Sequence, residues 1–318
     1  MSVLALCGGV GGAKLAFGLA AEAADLTIAV NTGDDFEHLG LTICPDIDTV
    51  LYTLADLADR ERGWGLAGET WGFMAALARL GGEAWFQLGD HDLATHVERT
   101  RRLAAGDSLS AVTAHLARAL GLKVHIAPMS DQPVRTRLLT EAGELAFQHY
   151  FVRERCAPVV RSIRYEGAAT ATPSPGLAAA LARPDLTAVV ICPSNPYLSV
   201  DPILAVPGVR EALRRTAAPI VAVSPIVAGQ ALKGPAAKLM AELGAEPRVE
   251  AVARHYAGLI DGLILDTADT GAIPAIEALG VRALAVPSIM RDDEDRRRLA
   301  RDALVFAASL RQSRARAG

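Results

Sequence analysis

One glycine-rich loop, wedged between an apolar strand pattern and a helical one, constrains this chain most. Val3–Cys7 is a continuous apolar run, the pattern of a strand buried on both faces. Gly8-Gly9-Val10-Gly11-Gly12-Ala13-Lys14 follows at once, and Lys14–Ala24 reads as a helix. The alternation then recurs. Leu26–Val30, Ala188–Cys192, Ile220–Val223, Leu263–Leu265 and Ala283–Val286 are further apolar runs, and a helix opens at Val50–Leu57. Strands alternating with helices predict an α/β fold with a doubly wound, mostly parallel Rossmann-like sheet. The length of 318 residues corresponds to about two domains. Residues 1–90 and 176–318 are expected to form the nucleotide- or phosphate-binding core. Residues 91–175 read as a smaller inserted α/β cap, with a β-hairpin at Arg135–Leu139 and Leu145–Phe147 and an Arg-rich stretch at Arg153–Arg164.

Composition narrows the function classes. Hydrophobic residues make up 51% and charged residues 21%, which excludes a disordered chain. The net charge of −4 excludes a whole-chain basic footprint for nucleic acid. Cys7, Cys44, Cys156 and Cys192 show no CxxC spacing, so neither zinc nor a redox motif is expected. The first charged side chain is Lys14, which argues against a signal peptide. The longest uncharged stretch, Thr216–Leu232, is broken by Pro219, Pro225 and Gly229 and is too short for a membrane helix. A cytoplasmic protein is expected.

Glycines at the start of a helix let backbone N–H groups approach an anion, and Lys14 adds charge. Gly9, Gly11, Gly12 and Lys14 are therefore candidate phosphate ligands. The loop is neither a P-loop, because Leu15 follows Lys14, nor a dinucleotide fingerprint, because Lys14 occupies the place of the third glycine. Polar groups following other predicted strands fall on the same sheet edge. These are Asn31-Thr32-Gly33-Asp34-Asp35, Ser194 with Asn195, and Ser224 leading to Lys233. Asp46 and Asp48 are two apart, on one side of an extended segment, and are candidates for Mg²⁺ binding or proton abstraction. One of the two is expected to be an N-cap. His91, in Gly89-Asp90-His91-Asp92, is a ligand-binding candidate.

Taken in order, these blocks resemble the 2-phospho-L-lactate transferases of deazaflavin coenzyme (F-420) biosynthesis. The resemblance also covers Gly63-Trp64-Gly65, Pro128-Met129-Ser130-Asp131 and Lys233-Gly234-Pro235. It implies transfer of a phospho-three-carbon acid, 2-phospholactate or phosphoenolpyruvate, from a guanosine-diphosphate-linked donor. The acceptor implied is the ribityl hydroxyl of 7,8-didemethyl-8-hydroxy-5-deazariboflavin, with GMP released and Mg²⁺ as cofactor. It places acceptor contacts on Asp48 and His91, where the family more often has Arg, with Asp34 nearby. It also implies a homodimer. The rival reading is a non-catalytic nucleotide-sugar-binding regulator of the gluconeogenesis-factor type.

Overall fold

The computed structural model describes residues 1–231 and 234–317, with side chains through residue 312. Among these, seven short strands form one sheet: β1 (Ser2–Cys7), β2 (Asp25–Val30), β3 (His125–Pro128), β4 (Leu186–Ile191), β5 (Ile220–Val223), β6 (Gly262–Leu265) and β7 (Arg282–Ala285). Their order is β7-β6-β5-β4-β1-β2-β3, and every neighbouring pair is parallel. All six residues of β1 are buried, because helices cover both faces of the sheet. Alternation along the strand feeds two cores. Leu4 and Leu6 join the core on one face, and Val3, Ala5 and Cys7 join the other, as the period of two requires.

The second core is closed by α1 (Gly9–Glu22), α2 (Pro45–Leu54) and the C-terminal helix Asp293–Ala317. Leu15 and Leu19, Val50 and Leu51, and Leu299 and Ala303 are their buried contributions. Gly18 lets α1 cross the C-terminal helix closely, since a Cβ there would lie 2.1 Å from the Arg296 carbonyl.

Three expectations shift. The glycines lie inside the first turn of α1, which begins at Gly9 and not at Lys14. The second helix begins at Pro45, with Pro at its favoured first position. The stretch 91–175 is not wholly separate from the sheet, because His125–Pro128 pairs with β2 as an edge strand. The expected hairpin is present, with Arg135–Thr140 paired to Gly143–Ala146. Val160–Glu166 adds a third antiparallel strand. The Thr136 N–H donates to the Gly33 carbonyl (2.8 Å), which ties this small sheet to the loop after β2. No described helix is long and apolar enough to cross a membrane.

Candidate active site

Strand order reverses between β1 and β4, and a crevice opens beyond the strand ends at such a point. The connections leaving these two strands touch there. Ser194 Oγ accepts from the Gly8 N–H (3.1 Å) and donates to the Gly8 carbonyl (2.8 Å). This contact explains three of the glycines. A Cβ on Gly8 would lie 2.6 Å from Ser199 Cβ, on Gly11 2.6 Å from the Pro193 carbonyl, and on Gly12 2.5 Å from Ser194 Oγ. Gly9 differs: it combines a φ of 65° with open space where a Cβ would stand.

Asp46 and Asn31 organise the crevice. Gly9 N–H donates to Asp46 Oδ1 (2.8 Å), and Asn31 Nδ2 donates to Asp46 Oδ2 (2.9 Å). Asn31 also donates to the Leu198 carbonyl (3.2 Å) and accepts from the Gly33 N–H (2.8 Å). One buried amide thus joins the loops that follow β2 and β4 to α2. Both groups holding Asp46 are uncharged. Burial pushes its carboxyl up to about 6, against the pull of Asn31 and Gly9. Burial pushes the Asp34 carboxyl well up too, and the Asp46 charge adds to it. Asp35 is pushed up to about 7 by burial, with Arg135 pulling the other way. Asp34 Oδ1 and Asp35 Oδ1 are buried without a hydrogen-bond partner among the described residues.

Asp48 does not share this face. Asp46 and Asp48 both lie in the first turn of α2, about 200° apart around the helix. Neither is the N-cap, which is Cys44. Asp48 points to α3 (Asp92–Ala104), where the guanidinium of Arg99 grips both carboxylate oxygens. Arg99 is fully buried. It also donates to the Thr42 carbonyl (3.3 Å), and its Nη1 lies 3.2 Å from His96 Nδ1. His96 Nε2 lies 3.2 Å from Asp92, which accepts from Tyr52 OH. Ligand atoms of Asp48, Asp92 and His96 lie within 4.8 Å of one another. The guanidinium already supplies the positive charge at that point. The expected Asp46–Asp48 metal pair is therefore not formed, because helical spacing splits it and Arg99 engages one member. Arg99 is the functional candidate that the sequence reading missed. Its signal was present, since Asp92, His96 and Arg99 share one face of a helix.

The remaining candidates divide. His91 is 64% exposed. It opens α3, and its backbone N–H and that of Asp92 donate to Glu69 (2.8 and 2.7 Å). Asp90 accepts from the Gly72 and Phe73 N–H groups (2.9 Å each), so this block builds helix starts. Asn195 Oδ1 accepts from the Tyr197 and Leu198 N–H groups, while its Nδ2 is buried with no partner among the described residues. Ser224 Oγ closes a turn on Ile226. Lys14 donates to the Met290 carbonyl (3.0 Å) and lines a cleft with Thr49, Tyr52, Trp64, Arg291 and Arg296. Asp46 and Thr49 are neighbours on one face of α2, so this cleft continues from the glycine loop. Lys233 lies outside the described residues.

The family profile for "2-phospho-L-lactate transferase CofD" matches residues 3–281. A phosphoenolpyruvate transferase of Streptomyces griseus is 44% identical over 98% of this chain and 100% of its own length. That of Kitasatospora aureofaciens is 45% identical over 98% and 99%, and that of Mycolicibacterium smegmatis 38% over 92% and 95%. Among solved structures, protein BH3568 from Bacillus halodurans superposes with a TM-score of 0.65 at 16% identity, covering 95% of this chain and 99% of its own. A second structure of that protein, described as a member of the upf0052 family, gives 0.66 at 15%. This likeness carries the fold alone. From profile and relatives together, the chain belongs to the CofD family of 2-phospho-L-lactate transferases.

Proposed function

We propose that this protein transfers a phosphoenolpyruvyl group from a guanosine-diphosphate-linked donor to the ribityl hydroxyl of 7,8-didemethyl-8-hydroxy-5-deazariboflavin, in coenzyme F-420 biosynthesis. The names of the relatives favour phosphoenolpyruvate over 2-phospholactate. The observation that carries the reading is the pair of buried carboxylates, Asp34 and Asp46, beside the N-terminus of α1. The acceptor oxygen attacks the phosphorus that bears the three-carbon acid. The bond from that phosphorus to the bridging oxygen breaks, and GMP leaves with the oxygen. The hydroxyl proton passes to a carboxylate of this cluster, the general-base role that a positioned aspartate fills. Lys14 and the α1 N-terminus hold phosphate oxygens, and Asn195 Nδ2 offers a donor to the nucleotide. Asp34 and Asp46 fit Mg²⁺, because Asp46 is held by uncharged donors and an Asp34 oxygen is unpartnered. Bound there, the ion neutralises charge on the diphosphate. Asp48 does not fit that role, being gripped by Arg99.

The test is turnover. Protein, Mg²⁺ and the deazaflavin are incubated in parallel with enolpyruvyl, lactyl and glyceryl guanosine diphosphates. The expected result is a deazaflavin mass gain of one phosphoenolpyruvyl group with release of GMP. No mass gain with any donor overturns the reading.

A further inference from the structure

The cleft beside the glycine loop carries more positive charge than the transfer step above uses. Val10 and Lys14 of α1, Thr49 of α2, Trp64, Arg291 and Arg296 line it. Its open volume is about 70 Å³, far below the roughly 300–1,000 Å³ of pockets that take drug-sized ligands. That is the scale of a small acid and not of a nucleobase or a tricycle.

Arg296 is the wall that points to a ligand. It lies near the start of the C-terminal helix and is only 5% exposed, yet its Nε has no hydrogen-bond partner among the described residues. Its Nη1 lies 3.0 Å from Asp293 Oδ1, and its guanidinium stands 5.3 Å from the Phe17 ring. Asp293 is shared, because Arg60 Nη2 lies 3.1 Å from its other oxygen. Burial pulls the Arg296 guanidinium below its usual pKa, against Asp293, and it stays charged at any assay pH. Asp56 and Asp59 also line the cleft, but both are engaged. Asp56 pairs with Arg60 (2.6 Å), and Asp59 accepts from the Glu61 and Arg62 N–H groups (3.0 and 2.9 Å). Arg291 adds an exposed guanidinium. A buried donor left unpaired is costly, and an anionic ligand would satisfy it.

We propose that this cleft is the pocket for the three-carbon acid of the donor, with Arg296 and Arg291 binding its carboxylate and Val10 and Trp64 flanking its carbon skeleton. This rests on the function proposed above and adds the residues that select a carboxylated donor. The reacting phosphorus carries the acid as its remaining substituent, and the cleft opens from the loop that holds the phosphates, past Lys14. Only the ester oxygen and one carbon separate that phosphorus from the carboxylate, so the reach is short. A guanidinium suits the task because its planar fork matches a carboxylate.

The experiment titrates enolpyruvyl guanosine diphosphate, ethyl guanosine diphosphate and GDP by calorimetry, with Mg²⁺ and without the deazaflavin. The ethyl ester has the same diphosphate and no carboxylate. The proteins are wild type, Arg296→Met, Arg296→Lys and Arg291→Met. Hydrogen bonds to a charged group are worth about 10- to 150-fold in affinity. Wild type is expected to bind the enolpyruvyl donor about tenfold or more tighter than the ethyl ester. Arg296→Met loses that preference, with its Kd for the ethyl ester and for GDP unchanged. Arg296→Lys keeps part of the preference, and Arg291→Met, at an exposed position, lowers it. An Arg296→Met protein that keeps the wild-type preference overturns the pocket. So does an equal loss of all three ligands, which marks a structural role, or a wild type that binds both esters alike. A wild type that binds none of the three overturns the function itself, whereas wild-type binding with an unaffected Arg296→Met removes only the pocket.

Discussion

Replacing Arg99 by Met tests the strongest electrostatic feature of the fold. Arg99 is fully buried and Asp48 is 5% exposed, so solvent screens their pair little. Arg99→Met keeps the aliphatic stem and removes the guanidinium, leaving Asp48 as a buried carboxylate with no bidentate partner. Breaking one side of such a pair costs about 3–5 kcal/mol. Unfolding entropy near 2.1 cal/mol/K per residue makes each kcal/mol worth about 1.5 °C at this chain length, so Tm falls by about 5–7 °C. The deficit depends on pH. Without Arg99, burial holds the Asp48 carboxyl above its unfolded value of about 3.9, so the penalty acts on the ionised form. It is complete above the raised folded pKa and gone below the unfolded one. Thermal melts of both proteins from about pH 8 to about pH 4 therefore converge toward acid. A second variant, Arg99→Met with Asp48→Asn, recovers most of the loss at neutral pH. A Tm within about 1 °C of wild type for Arg99→Met, or a deficit that grows on acidification, refutes the ion pair.

Asp46→Asn is expected to lower turnover by about 10²- to 10⁴-fold, read by initial-rate kinetics. In the metal-free protein, burial raises Asp46 to about 6 and Asp35 to about 7, which opens a titration window from the free carboxylate value of about 4 upward. The same raised carboxyls make the folded state less stable as pH climbs through it, which a pH series of denaturant melts measures. Gly11→Ala forces a Cβ to 2.6 Å from the Pro193 carbonyl, an overpacking worth about 1–3 kcal/mol. Gly9→Ala meets only open space at a φ of 65° and is expected to cost about 1 kcal/mol.

The central strands were legible because a strand buried on both faces is apolar at every position, as Ser2–Cys7 nearly is. Edge position hid β3, whose four residues begin with an exposed His125 and end at Pro128. Val160–Glu166 carries Arg, Ser, Arg and Glu among its apolar residues because one face is solvated. Its charges read only as part of the Arg-rich stretch Arg153–Arg164. At the site, the residue types were readable and their directions were not. Asp46 and Asp48 looked like a pair because an extended segment puts alternate residues on one side. Pro45 was the overlooked sign that a helix had begun. Arg99 stands beside Arg101 and Arg102 in one Arg-rich run. Only the helix face shared with Asp92 and His96 distinguishes it. Four glycines looked like a surfeit for ligand binding, whereas close contact between two loops accounts for three of them.

The clamp of Ser194 on Gly8 joins residues 186 positions apart, and this sets an order of events during synthesis. β1 emerges from the ribosome long before β4, its partner on one side, has been made. At typical elongation rates the interval is roughly 10–40 s. For that time a strand whose every residue ends up buried has only β2 beside it, and the glycine loop has nothing to close against. The nascent chain carries an open, apolar sheet edge through more than half of its translation. It is in this interval that a holdase chaperone has the most surface to shield.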